Sequence, residues 1–210
     1  MRPKDIFNII KGWRLDRPVV IASLIILLIT ANIQTQAQVT YRLNANPELK
    51  VSGTSTIHDW EMISNSASGM AKVIFENSEL VKINSLKVIM PVRSLKSGKG
   101  TMDTNAYKSL RADKFPDIIF ELIDVERIGG QQVMAKGNFI ISGITREAIL
   151  EVGYQIEDDK IQFSGERTIK FSEFNIDPPT AVFGTIKTGD DLILSFKLIF
   201  SNSTNKITKQ

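Results

Sequence analysis

Residues 131–156 read QQVMAKGNFIISGITREAILEVGYQI, and this stretch decides the fold. Val133, Ala135, Gly137, Phe139 and Ile141 recur at every second position, the spacing that lines one face of an extended strand. Ser142-Gly143 then supplies turn chemistry, and a second run follows from Ile144 to Ile156. Two strands this long, joined by so short a turn, suit tilted antiparallel neighbours in a barrel.

The same alternation extends outward in both directions. Val39, Tyr41 and Leu43 alternate, as do Leu86, Val88, Met90 and Val92, and Ile118, Phe120 and Leu122. Toward the C-terminus it covers Ile161 to Phe171, then Leu192, Leu194, Phe196, Leu198 and Phe200. Turn residues at Asn44–Pro47, Gly129-Gly130, Asp158-Asp159 and Gly189-Asp190 separate runs spaced as antiparallel neighbours. The expectation is an all-β chain of about eight or nine strands, closed into an antiparallel barrel because closure removes exposed edges. A two-sheet sandwich is the alternative, which periodicity does not separate from it. One stretch breaks the pattern: Asn105–Lys114 holds helix formers, with Ala106, Tyr107 and Leu110 on a shared face and Thr104 or Asp103 as N-cap. A single inserted helix is expected there, after a solvated loop at 96–101, and a short helical turn at Ser172–Asn175.

The N-terminus reads as an export signal. Arg2, Lys4, Lys11, Arg14 and Arg17 precede an uncharged apolar run from Val19 to Ile29, shorter than the roughly 20 residues of a membrane span. Thr35-Gln36-Ala37-Gln38 offers small residues for cleavage after Ala37. The expected division is therefore a signal peptide at 1–37, a barrel domain at 38–200 and a polar tail at 201–210, with an uncleaved signal anchor as the competing reading. The working domain is expected in the periplasm or outside the cell.

Charge and composition narrow the function. The whole chain carries 26 Lys and Arg against 23 Asp and Glu; residues 1–37 hold five of the former and two of the latter, which leaves 21 of each. A neutral domain gives no support to nucleic-acid binding, which needs a clustered basic face. There is no cysteine, so packing alone must hold the fold, and a hydrophobic content of 42% suffices for one domain of this size. Oligomeric state stays open, a homodimer included.

Chemistry is scarce. His58 is the sole histidine, and Asp59 beside it would point to the opposite face of a strand, so no catalytic triad is expected. His58 is read first as a residue at a strand end bonded to a loop carbonyl, and second as a ligand contact at the barrel mouth. No metal site is expected from one histidine without cysteine, because Asp158-Asp159 and Asp190-Asp191 read as hairpin-turn residues. The loop Lys96-Ser97-Gly98-Lys99-Gly100-Thr101 lacks the order of a phosphate-binding loop, although lysines at a barrel mouth could meet a lipid head group.

Four ordered segments resemble a known family. Gly53-Thr54-Ser55-Thr56-Ile57-His58-Asp59-Trp60 is similar to the first motif of the YceI-like polyisoprenoid-binding proteins. Met102-Asp103 through Leu110, with Phe115-Pro116-Asp117-Ile118-Ile119-Phe120, resembles the family's helix and the strand after it. Gly137–Arg146 is similar to its central hairpin, and Pro178-Pro179-Thr180 through Gly184–Gly189 to its C-terminal motif. The chain departs from the family pattern at Lys108-Ser109 and at the single Phe115 before Pro116. The resemblance implies a lipocalin-like barrel, commonly exported, whose apolar cavity holds an isoprenoid chain such as that of a quinone or polyprenyl lipid. It implies no enzyme cofactor. The ligand contacts it suggests are His58, Trp60, Tyr107, Leu110, Phe120 and Phe139. A structural or interaction scaffold, and an enzyme using His58 as general base on a barrel-bound lipid, are the competing functions.

Overall fold

The computed structural model describes residues 38–76 and 79–203, so the expected signal at 1–37 and the end of the tail lie outside the described residues. Among the described residues there are eleven strands: β1 (Gln38–Leu43), β2 (Glu48–Ser55), β3 (Trp60–Ser64), β4 (Ser68–Glu76), β5 (Glu79–Pro91), β6 (Asp117–Gly129), β7 (Gln132–Ile141), β8 (Ile144–Glu157), β9 (Lys160–Lys170), β10 (Thr180–Ala181) and β11 (Ile186–Asn202). Helix α1 spans Gly100–Ser109, and short 3-10 turns lie at Val92–Ser94 and Ser172–Phe174. The sheet runs β1-β4-β5-β6-β7-β8-β9-β11-β2-β3, and a further β1–β11 ladder closes it.

Closure uses eight staves, because two pairs of strands are collinear. β1 and β2 both run antiparallel to β11, at Leu43↔Phe200 and then Glu48↔Lys197. The Asn44–Pro47 segment is therefore a kink in one ascending stave and not a turn between antiparallel neighbours. Asn44 N–H stays bonded to the Ile199 carbonyl (2.8 Å) across the kink. β3 and β4 continue one another likewise, β3 pairing with β2 and β4 with β1. The expected Gly189-Asp190 turn is also corrected: both residues lie within β11, where the register shifts between Thr188 and Leu192. Glycine and aspartate serve a bulge as readily as a hairpin. β11 also runs two residues beyond Phe200, into the expected tail, and Ser203 N–H bonds the Thr40 carbonyl (3.0 Å).

Inward rows follow the pleat. Val133↔Val152 and Ala135↔Leu150 pair across β7 and β8, and Phe163 and Ile161 oppose Leu198 and Phe200 across β9 and β11. One end of the barrel is closed by Tyr41, Val73, Ile161 and Phe200, all buried. At the other end β8 and β9 pair only between Val152↔Gly165 and Glu157↔Lys160. Beyond that, Phe171, Phe174 and Ile176 pack with Ile141, Ile169 and Leu192 as a second core.

Candidate functional site

Between the closed end and α1 lies a cavity of about 570 Å³. Its depth is lined by Leu122, Val133, Leu150, Val152, Phe163 and Leu198, and its mouth by Ile57, His58, Lys99, Thr101, Ala181 and Ile186. From Leu192 to Leu198 the lining residues of β11 cover about 20 Å of strand, so the space is elongated. Nearly all the lining is apolar. The charged residues that border it are cations, Lys50, Lys99, Arg167 and Lys170, of which Lys50 and Lys170 alternate with inward Leu49 and Val51 and with inward Ile169 and Phe171. Lys50 and Lys170 pair with Glu61 (3.8 Å) and Asp191 (3.0 Å), whereas Lys99 and Arg167 make no ion pair among the described residues.

Glycines keep the interior open by letting aromatic rings lie against the wall. A Cβ on Gly137 would fall on the Phe120 ring and within 2.8 Å of the Glu121 carbonyl; one on Gly53 would meet Trp60 at 2.6 Å, and one on Gly165 would meet Phe196 at 2.9 Å. Each glycine therefore makes room for an aromatic neighbour. Phe120 and Phe139 face each other across β6 and β7 with ring centres 5.0 Å apart. Trp60 is held by its indole N–H, which donates to the Thr54 carbonyl (3.0 Å).

The segment between β2 and β3 is built by Ser55. Its hydroxyl donates to the His58 carbonyl (2.6 Å) and accepts from His58 N–H (3.3 Å), while Ser55 N–H also reaches that carbonyl (3.1 Å). His58 therefore sits in an exposed turn, three residues beyond the end of β2. Its Nδ1 is 2.9 Å from the Asp59 carbonyl; a carbonyl only accepts, so Nδ1 carries the proton. That is the expected bond to a loop carbonyl, in a turn instead of at a strand end. The ring borders the cavity mouth.

Helix α1 begins five residues before the expected Asn105, at Gly100, and neither Thr104 nor Asp103 caps it; Lys99 holds the N-cap position. Asp103 is buried in the first turn and reaches backward, accepting from Ser97 N–H (2.8 Å) and Ser97 Oγ (2.7 Å). These bonds from Ser97, aided by Lys96, hold its carboxyl below the ordinary 3.8 against the opposing effect of burial. The loop at 96–101 is thus an anchor that folds Gly100–Met102 into the helix. Lys96 is raised in turn, chiefly by its bond to Tyr107.

Met102, Asn105, Ala106, Ser109 and Leu110 line the cavity, at the spacing of one helical face. Tyr107 lies off that face and does not line the cavity. Its hydroxyl donates to the Leu95 carbonyl (2.6 Å) and accepts from Lys96 Nζ (2.8 Å), so it fastens the helix to the preceding segment. At the other end Arg111 Nε and Nη2 donate to Ser142 Oγ and the Ser142 carbonyl, each at 2.7 Å, and Ser142 Oγ donates to the Leu110 carbonyl (3.0 Å). The structure thus brings His58, Trp60, Leu110, Phe120 and Phe139 to one cavity and leaves Tyr107 outside it. Sequence reasoning missed Met62, Met90, Phe171 and Phe196 among the lining residues, although their row positions carried the signal for all but Met62. Among the described residues no group of three His, Asp or Glu gathers as a metal site.

A closed antiparallel barrel with a clamped helix at its mouth and an apolar cavity defines the class of protein. A family model described as the YceI-like domain matches residues 49–200, and the chain belongs to that family. Its fold is shared with Burkholderia cenocepacia BcnA (19% identity, 72% of this chain and 95% of that one, TM-score 0.59). A polyisoprenoid-binding domain from Saccharophagus degradans, implicated in plant cell wall breakdown, is similar over 78% of this chain and 99% of its own, at 10% identity and a TM-score of 0.61. The Campylobacter jejuni YceI protein is 22% identical over 67% of this chain and 82% of its own, with a TM-score of 0.55. No curated protein matches the chain.

Proposed function

We propose that this protein is an exported carrier that holds one apolar, isoprenoid-type lipid inside its barrel. The observation that carries this reading is the cavity: about 570 Å³ of nearly unbroken apolar wall, without a carboxylate. A space of this size is of the order of ligand sites in general. Leaving it empty would forgo contacts that a hydrocarbon chain supplies, and each methylene it takes from water contributes about 0.8 kcal/mol. The lipid-binding description of the S. degradans relative points the same way. The elongated shape suits a linear chain better than a compact ring system. Export is part of the proposal and rests on the basic and apolar pattern of residues 1–29 and on Ala37.

Filling the cavity tests the reading. Ala135, buried on the inner row of β7 and part of the lining, can be replaced by phenylalanine. Organic extracts of the purified wild type should contain a stoichiometric apolar lipid, and extracts of a folded Ala135→Phe variant should contain much less. Equal yields from the two proteins would contradict the proposal.

A further inference from the structure

Beside the cavity mouth, the β10–β11 hairpin presents the two residues least suited to its tip. Gly184 N–H bonds the Ala181 carbonyl (3.1 Å), which closes a turn whose central residues are Val182 and Phe183. Both have positive φ, 50° and 53°. Gly and Asn enter this left-handed region readily, and Gly184 follows at φ 86°, but a β-branched or bulky residue there is strained. Nothing buried compensates that strain: Phe183 is fully exposed and Val182 is 61% exposed. Ile57, also 61% exposed, stands on the adjoining turn, which is tied to the hairpin by Thr56 N–H on the Lys187 carbonyl (2.9 Å). Ile57 and Ala181 themselves line the mouth, so the exposed apolar tip is continuous with the cavity wall.

We propose that Ile57, Val182 and Phe183 form a membrane-docking tip, which seats the cavity mouth on a phospholipid bilayer so that the ligand passes without crossing water. This rests on the lipid-carrier reading above. Two observations favour a bilayer as the occupant. The three most exposed large apolar side chains among the described residues, Ile57, Val182 and Phe183, stand together at the entrance to a cavity whose proposed content dissolves only in membranes. The charged residues of the lining that have no ion pair among the described residues, Lys99 and Arg167, are both cations, which complements headgroup phosphates; Asp59 and Asp177 stand outside that lining. Strain kept at an exposed site, where Asn-Gly would relieve it, marks a functional position.

The absence of native cysteine permits a clean experiment. An environment-sensitive fluorophore is attached at Phe183→Cys, or at Gln131→Cys in the β6–β7 turn of the closed end, and vesicles of phosphatidylcholine mixed with phosphatidylglycerol are added. The label at 183 should shift to the blue and the label at 131 should not. A paired variant, Val182→Asn with Phe183→Gly, should melt a few degrees higher because strain is relieved, yet bind vesicles at least about tenfold more weakly. Equal response at both labels, none at 183, or burial of 183 in a vesicle-free dimer would overturn the inference. A protein that carries extractable lipid while its tip stays in water would refute docking alone, whereas an empty cavity would refute the carrier reading.

Discussion

Gly137 and Phe120 show how single residues shape the cavity. The ring of Phe120 occupies the place of a Gly137 Cβ, so Gly137→Ala must push the ring inward or the strand outward. The expected cost is about 1–3 kcal/mol, measured as a lower urea midpoint, together with reduced lipid content. Phe120, Phe139 and Trp60, which the family resemblance suggested as ligand contacts, line the cavity, and the first two also stood on alternating rows. Tyr107 was grouped with Ala106 and Leu110, yet it lies about 100° round the helix from Ala106, on the side that meets Leu95 and Lys96. Asp103 offers a second test. Its carboxyl is held below the ordinary value in the fold, so its contribution is complete above the unfolded value and disappears as pH falls through the folded one. Asp103→Asn should therefore be less stable at neutral pH, and the gap to wild type should close as acid titrates below about pH 4.

At the scale of elements, α1 is a rim fastened at both ends, by Ser97–Asp103 and by Arg111–Ser142. Arg111→Ala removes the C-terminal clamp and leaves Ser142, buried, with one partner fewer. Amide exchange across residues 106–112 should quicken while the strands keep their protection, and the bound lipid should leave faster. The long strands β7, β8, β9 and β11 were plain in the sequence because their inner rows are unbroken. β2, β3 and β4 were not: serines, glycines and lysines dilute their alternation, and all three are parts of staves built from two strands. The kink at Asn44–Pro47 and the bulge at Gly189-Asp190 passed for hairpin turns because glycine, proline, asparagine and aspartate serve all three geometries.

For the whole molecule, alternation identified an all-β chain and indicated closure, since so many long strands leave no comfortable edge. It could not show that the interior stays open. Periodicity states which side chains point inward, while the cavity depends on glycines opposite aromatics and on α1 standing at the rim and not inside. The export reading also belongs at this scale: the protein recovered from the cell envelope should begin at Gln38, as N-terminal sequencing or intact mass would show, and a mass retaining residues 1–37 would instead support the anchor. The measurement that bears most directly on the account is native mass spectrometry of the purified protein. The account predicts one apolar molecule per barrel, released by collisional activation and identified as a chain of isoprene repeats; a bare barrel from lipid-rich cells, or a polar adduct in its place, would contradict it.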